Sequence, residues 1–380
     1  MNLATRFKSE ARRLGFSLAG ICPAVTPTGI HHFHEWLRRG YHGEMRYLSE
    51  RADAYAHPSS VLTGVRSLLM LGMRYPGDPS GAAPRAEVRV ARYAQGPIDY
   101  HDLIHARLKQ LVAWLRTEAP DCAARGVVDT APLLEREFAQ LAGLGWIGKN
   151  TLLIHREHGS WFFLAAILTD LELEPDDPFT ADHCGSCTAC LEACPTQAFP
   201  QPRVLDATRC ISYLTIELRD EIPAALRPLV GDWVFGCDIC QSVCPWNRRV
   251  PESVEPSFEP SDTWSHLRLE NLFELTDETF RELFRSTPLW RAKRRGLLRN
   301  AAIALGNRFS AGAAEPSSRE GSPASSEEAF QPAITGLCRG LRDVEPLVRS
   351  ASAWALEQLR TPAAELALRS WREETAAKEA

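Results

Sequence analysis

The 380-residue sequence has no run approaching 18 apolar residues, which excludes a membrane-spanning helix. Its opening, MNLATRFKSEARRLGF, lacks the apolar stretch of an export signal, so a cytoplasmic location is expected, where thiols stay reduced. No P-loop is present, and with it goes one common cradle for nucleoside triphosphates. The net charge of -5 argues against indiscriminate binding to nucleic acid. Acidic residues are nevertheless missing from one stretch, 283–314, which carries Arg285, Arg291, Lys293, Arg294, Arg295, Arg299 and Arg308. Such a local basic face is a candidate for phosphate contact, the other reading being a solvated helix surface.

Cysteine, by contrast, is abundant: 11 in all, eight of them between Cys184 and Cys244. Cys184, Cys187, Cys190 and Cys194, followed by Pro195, match the ferredoxin run CxxCxxCxxxCP position for position. Cys237, Cys240 and Cys244 before Pro245 form a second run that is one cysteine short, and Cys210 can supply the missing thiolate. In paired motifs of this kind the cysteine before proline ligates the other cluster. One 4Fe-4S cluster is therefore expected on Cys184, Cys187, Cys190 and Cys244, and a second on Cys194, Cys210, Cys237 and Cys240. Zinc favours two separated pairs of ligands and fits the spacing less well. Disulfides suit a reducing compartment poorly. Cys22, Cys122 and Cys338 lie outside the pattern and read as small buried residues.

A chain of this length makes two or three domains. Acidic, proline-broken stretches at 171–182 and 251–262 set off a central cluster domain. The N-terminal part reads as α+β, with helices over 7–14 and 105–119 and buried strands over 67–73 and 160–169. Residues 151–155 are expected to pair with 160–168 across a turn at 156–159. Asp129 or Thr130, followed by Pro132 and Glu135, suits a helix N-terminus. Gly143, Gly145 and Gly148 satisfy GxGxxG, but a helix precedes them and a strand follows, the reverse of the dinucleotide fingerprint. They are expected to let backbone approach a bulky ligand closely. The tail reads as all-helical, with Arg299 and Arg349 each opening a small-residue helix face in the manner of HEAT-like pairs. Residues 310–326 are of low complexity.

The combination of YHGEM at 41–45, Arg92 and Tyr93 followed by Asp99, Tyr100 and His101, VDTAPLLER at 128–136, AGLGWIGK at 142–149, the double cluster motif and RCISYLTIEL at 209–218 resembles the epoxyqueuosine reductases. The resemblance runs from about residue 7 to residue 307 and on into the tail; 310–326 looks like an insertion. It implies a cobalamin- and substrate-binding α+β domain over 1–178, similar to that of the reductive dehalogenases. A two-cluster bacterial ferredoxin-like domain would follow over 179–250, a connecting segment over 251–280, and a HEAT-like helical domain over 281–380. It also implies reduction of epoxyqueuosine to queuosine at the wobble position of tRNA, with electrons passing through two 4Fe-4S clusters to cobalamin, Co(I) acting on the epoxide and Asp129 donating a proton. A carboxylic acid serves as donor only if its pKa is raised, which burial against a corrin face would do.

By position in the matching motifs, Arg92, Tyr93, Asp99, Tyr100 and His101 would form the corrin and substrate pocket. Gly145, Gly148 and Asn150 would frame the cofactor, and Ser212 and Thr215 would approach it from the cluster side. Arg291, Lys293, Arg294, Arg295 and Arg299 would grip tRNA phosphates, which fixes position without reading bases. The histidine-donating motif DxHxxG is absent: Asp99, Tyr100 and His101 begin like it without the glycine. That fits the family's binding of the corrin without a protein lower ligand. An external low-potential electron donor and a monomeric chain are expected. Two other readings are a small-molecule reductase of the dehalogenase type, which would not need the basic tail, and a non-catalytic electron carrier, which would not need the large preceding domain.

Overall fold

The structure is a computed structural model that describes residues 2–77, 88–251, 255–261, 267–311 and 326–379. Residues 312–325, most of the expected low-complexity loop, lie outside the described residues, as do 252–254 and 262–266 near the second expected linker. The strands in chain order are β1 (Leu18–Pro23), β2 (Ser67–Arg74), β3 (Arg89–Val90), β4 (Ala124–Val127), β5 (Trp146–Ile147), β6 (Leu153–Ile154), β7 (Phe162–Thr169) and β8 (Trp233–Phe235). Among the described residues, no helix is long and apolar enough to cross a membrane.

The chain forms two compact units from interleaved segments. The first takes Met1–Ala82, Gly96–Thr208 and Asp238–Glu259; the second takes Ala83–Gln95, Arg209–Cys237 and Pro260–Ala380. Arg92 and Tyr93, inside the expected domain 1–178, thus group with the second unit. The expected cluster domain 179–250 is shared: Cys184, Cys187, Cys190, Cys194, Cys240 and Cys244 belong to the first unit, Cys210 and Cys237 to the second.

The core of the first unit is an antiparallel sheet in the order β1, β2, β7, β4. Side chains on a strand alternate between faces, and here both faces are covered. Leu68 and Met70 of β2 and Ala166 and Leu168 of β7 pack with Phe138 and Ala139 of the helix Glu135–Leu141. On the other face Gly126 meets Leu108 of the helix Tyr100–Glu118. Double burial explains why β2 reads as the unbroken apolar run SLLMLGM. Leu68, Leu69, Met70 and Leu71 are each fully buried, and removing one large side chain here would cost about 2–5 kcal/mol. Cys22 lies in the same core, where burial pushes its thiol up to about 12.

Three local expectations are corrected. Residues 151–155 do not form a hairpin with β7: β6 pairs with β5, and only a single bridge joins His155 to Gly159. The long helix starts at Tyr100 with Asp99 as its cap, five residues before the expected start, because the Asp99 side chain accepts the His101 N–H. Asp129 caps nothing: the next helix begins at Glu135, and Asp129 sits in a turn at φ 54°.

In the second unit β3 and β8 pair in parallel. The helix Lys293–Ala311 packs along the helix Pro346–Leu359, and the close approach needs small residues. A Cβ on Gly306 would stand 2.9 Å from Trp354 and 3.0 Å from Ala355.

Candidate active site

Cys184, Cys187 and Cys190 lie within electrostatic reach of Cys244 in the first unit. Burial pushes the Cys244 thiol up to about 11, and the sulfurs of Cys184, Cys190 and Cys187 act on it in the same direction. Thiols within reach of one another at this spacing suit an iron-sulfur cluster, whose positive iron would replace that mutual repulsion with ligation. The segment bearing Cys240 and Cys244 is tied to the start of β7 by a buried polar knot. Gln241 donates to Ser160 O (3.0 Å), Asn247 donates to Ser160 Oγ (3.0 Å), and Ser160 N–H donates to Asn247 Oδ1 (2.7 Å). Losing one partner strands the others in a low-dielectric interior.

A second group of side chains gathers at the N-terminal end of the Tyr100 helix. The Tyr100 hydroxyl donates to Asp129 Oδ2, and His101 Nε2 lies 3.6 Å from the same oxygen. Tyr100 is held by stacking on Phe163, with ring centroids 4.0 Å apart and planes 10° from parallel. His101 Nδ1 contacts Asp99 Oδ1 at 2.8 Å, which orients its Nε2 toward Asp129. Burial works to raise the Asp99 carboxyl, but hydrogen bonds from the His101 ring and N–H hold it below the usual carboxylate range.

The Asp129 backbone is unusual as well as its partners. The Thr130 N–H closes on Val128 O at 2.5 Å around the positive φ of Asp129, a three-residue turn of the rare, strained sort. Asp129 N–H donates to Glu135 Oε1 (3.1 Å), so the first residue of the following helix fixes the turn. Burial and the nearby Asp129 carboxylate raise Glu135 well above the usual range. The next residue, Arg136, is within electrostatic reach of the Cys240 sulfur.

Arg136 also lines a cavity of about 770 Å³ in the first unit. Phe33, Trp36, Tyr41 and Trp146 give it aromatic walls; Arg39, Gln140 and Arg203 add polar groups. Trp146 is 1% exposed, and its indole N–H has no hydrogen-bond partner among the described residues. Walls of this kind with an orphaned donor fit a large, flat, amide-rimmed ligand such as a corrinoid. Sequence reasoning missed Trp36, Arg39, Arg136 and Gln140 as lining residues. The signals were present in Arg136, which ends the quoted VDTAPLLER motif, and in Phe33 and Trp36, spaced for one helix face.

Several expected cofactor contacts prove to be internal. A Cβ on Gly145 would stand 2.1 Å from Ile154 O, and one on Gly148 would stand 2.5 Å from Ile154 Cδ1, so the close approach of the chain's own β6 already requires these glycines. Asn150 is 3% exposed and donates to Cys240 O at 3.3 Å, which supports the cluster loop. Thr215 is 1% exposed; its hydroxyl donates to Ile211 O and accepts the Gly236 N–H. Ser212 lies on the same short helix, Ile211–Ile216, and is half-buried. Tyr93 packs beside Phe235, and Arg92 opens the 3-10 turn Arg92–Ala94.

The family model described as epoxyqueuosine reductase QueG, DUF1730, matches residues 56–130, and one described as a 4Fe-4S double cluster binding domain matches residues 183–247. An epoxyqueuosine reductase of Pseudomonas aeruginosa is 44% identical over 309 residues, covering 80% of this chain and 85% of the relative. The chain belongs to the epoxyqueuosine reductase family. The Escherichia coli epoxyqueuosine reductase is 39% identical over 309 residues, covering 80% of this chain and 81% of its own. A crystal structure of a selenomethionine-labelled epoxyqueuosine reductase superposes with a TM-score of 0.82 at 29% identity, covering 98% of this chain and 94% of that one. Another, solved with an epoxyqueuosine-modified tRNA stem loop, gives 0.83 at 28% identity with the same coverage. A Bacillus subtilis epoxyqueuosine reductase, matched as well, was solved with its catalytic aspartate loop swung out of the active site.

In this chain the expected phosphate-gripping residues divide. Arg291, Lys293 and Arg295 are exposed, Arg291 pairing with Glu217 and Lys293 lying 4.3 Å from the Trp290 ring centroid. Arg294 points inward to an ion pair with Asp343 and a bond to Leu275 O (2.7 Å). Arg299 is 1% exposed and donates to the carbonyls of Leu214, Leu218 and Asp220, so it is a structural residue rather than a tRNA contact.

Proposed function

We propose that this chain reduces the epoxide of epoxyqueuosine in tRNA to the alkene of queuosine, with Asp129 as the proton donor. The observation that carries the reading is the meeting of Tyr100, His101 and Asp129 on one carboxylate oxygen in a strained turn, within a family member that carries a double 4Fe-4S motif. Removing an epoxide oxygen as water consumes two electrons and two protons. Cobalamin, when bound, supplies a reduced cobalt centre able to deliver electrons to carbon. Every other task falls to the protein.

Arg39, Tyr41, Arg136 and Gln140 would hold the corrinoid from the cavity side, through its amide rim and aromatic stacking. Asp129 protonates the opening oxygen. A protonated His101 then returns a proton from Nε2 to Asp129 Oδ2, while Asp99 keeps the ring aligned through Nδ1. Tyr100 fixes the acceptor oxygen and, stacked on Phe163, keeps it from rotating away. For this transfer the 3.6 Å from His101 Nε2 to Asp129 Oδ2 would have to close to hydrogen-bonding range. Glu135, by accepting the Asp129 N–H, holds the turn in its strained form.

Exposed Arg291, Lys293 and Arg295 would meet the phosphates of the anticodon stem-loop, and the modified base would leave its stack to reach the carboxylate. Eight cysteines carry two 4Fe-4S clusters in this reading, with Cys184, Cys187, Cys190 and Cys244 on one and Cys194, Cys210, Cys237 and Cys240 on the other. The test is anaerobic reconstitution with iron, sulfide and cobalamin, a strong reductant and tRNA carrying epoxyqueuosine, followed by mass spectrometry of the nucleosides. Conversion to a nucleoside lighter by one oxygen is expected. An unchanged nucleoside despite full clusters and bound corrinoid would overturn the proposal.

A further inference from the structure

Of the cysteines assigned to the first cluster, Cys244 is buried, Cys184 and Cys190 are half-buried, and Cys187 is exposed. Cys184 and Cys244 pack on the inner side against an aromatic group in which Trp146, His183 and Trp246 meet edge to face or tilted at 4.9–5.7 Å. The outer side is basic. Lys149 donates its ammonium protons to Gly185 O (2.7 Å) and Cys187 O (2.9 Å), which places a positive charge on the loop that carries Cys187. Arg156 contacts His183 Nε2 at 2.8 Å, one residue before Cys184. Arg203 pairs with Asp182 at 2.5 Å and bonds Ile147 O. Arg248 and Arg249 are both exposed, just beyond Trp246. Five basic residues thus stand against the acidic Asp182, Glu157 and Glu192, in a chain of net charge -5. Asp182 and Arg203 neutralise each other, which leaves four basic residues against two acidic ones.

Within this unit Cys240 and Cys187 differ in their surroundings. Cys240, assigned to the second cluster, is within electrostatic reach of Arg136, next to the Glu135 that holds the Asp129 turn. Cys240 thus lies near the helix that holds the Asp129 turn, whereas Cys187 is open to solvent. Electrons enter most directly at the exposed end.

We propose that the basic rim around Cys187, formed by Lys149, Arg156, Arg248 and Arg249, is the docking face for an acidic, low-potential one-electron carrier protein. The proposal rests on the cluster assignment above and adds the place and charge of the partner. Each encounter moves one electron: the carrier's reduced centre is oxidised and one 4Fe-4S cluster passes from its 2+ to its 1+ state, with no bond made and no proton moved. Two encounters supply the two electrons that removal of one epoxide oxygen consumes. Complementary charge raises association rates by about 10- to 1000-fold at low ionic strength, and salt screens the effect over about 10 Å at 0.1 M.

The test is stopped-flow bleaching of the reconstituted full chain's clusters under anaerobic conditions, with a reduced plant-type ferredoxin as the acidic probe and reduced methyl viologen as a small cationic control. The wild-type second-order rate with ferredoxin is expected to fall steeply as salt rises. The variant Arg248→Glu/Arg249→Glu, and separately Arg156→Glu, should slow ferredoxin by about tenfold or more at low salt and leave methyl viologen as fast as before. A wild-type ferredoxin rate indifferent to salt would overturn the proposal whatever the variants do, as would charge-reversed protein reduced by ferredoxin at the wild-type rate. Failure of both reductants to bleach the wild type would instead count against the cluster assignment.

Discussion

Replacing Arg299 with methionine removes a guanidinium that, among the described residues, donates twice to Asn300 Oδ1 (3.0 and 2.8 Å) and once each to Leu218 O (2.9 Å), Asp220 O (2.5 Å) and Leu214 O (2.6 Å). Leu214 and Asn300 are almost wholly buried, so their oxygens would lose their partner with no water to replace it; Leu218 and Asp220 lie nearer solvent. At about 1–3 kcal/mol for each stranded acceptor, and with imperfect packing of the new side chain, the expected loss is about 3–5 kcal/mol. The damage should spread to the redox chain. Leu214 and Thr215, whose carbonyls Arg299 and Asn300 take up, end the short helix whose N-cap is Cys210. Chemical denaturation followed by circular dichroism gives the stability. Iron analysis after reconstitution should show a fall from about eight atoms per chain toward about four as the cluster using Cys210 is lost. A variant as stable and as iron-rich as the wild type, but weaker in tRNA binding with a shallower salt dependence, would refute this reasoning and return Arg299 to the phosphate-contacting group.

Gly145→Ala should cost about 2–4 kcal/mol in thermal or chemical unfolding, because φ is 153° and the new Cβ would collide with Ile154 O, whereas a ligand-cradling glycine would lose corrinoid affinity with stability intact. Lys293→Gln with Arg295→Gln should lower the slope of log K against log salt for tRNA binding by roughly 0.7–0.9 per lost phosphate contact; an unchanged slope would remove these residues from the interface. His155 accepts the N–H groups of Glu157 and His158 on Nδ1, and burial, together with neighbouring His158, lowers its pKa from 6.5 to about 4. Its neutral form therefore contributes stability that is complete above pH 6.5 and is lost as pH falls toward 4. For this partly exposed ring the screened effect between pH 7 and 5 is about 1 kcal/mol. His155→Asn, which keeps an acceptor and cannot protonate, should flatten the dependence by that amount; parallel profiles would refute it.

The elements that sequence patterning located best are those whose burial is two-sided or whose chemistry is local. β2 and β7 announce themselves as apolar runs of strand length because both faces of the sheet are covered. The double-cluster segment is legible because the motif lies in the spacing along the chain, and the 4Fe-4S double cluster model matches it over 183–247. The partner of residues 151–155 was not legible: a short apolar run shows that a strand forms and says nothing of which edge it joins, and here β5, six residues upstream, takes it. The cavity was hidden because its walls come from the helix Ile30–Arg38 and from 201–205, far apart in sequence. Charge misled in the tail for a related reason. Arg295 and Arg299 stand one turn apart on one helix face, yet the first is exposed and the second buried, since the helix ending near Leu214 reaches only the second. At Asp129 the pattern Asp-Thr-Ala-Pro followed by Glu135 reads locally as a cap. The structure instead spends the aspartate on a strained turn facing Tyr100 and His101, a local rule broken where the chemistry is expected.

The most direct test is a single-turnover comparison of wild type and Asp129→Asn, each loaded with clusters and cobalamin and given tRNA containing epoxyqueuosine under reducing, anaerobic conditions. Cluster bleaching and nucleoside conversion are followed together. The account predicts equal cluster reduction in both proteins, conversion to queuosine by the wild type, and a rate at least about 100-fold lower in the variant. Conversion by Asp129→Asn at the wild-type rate would contradict it.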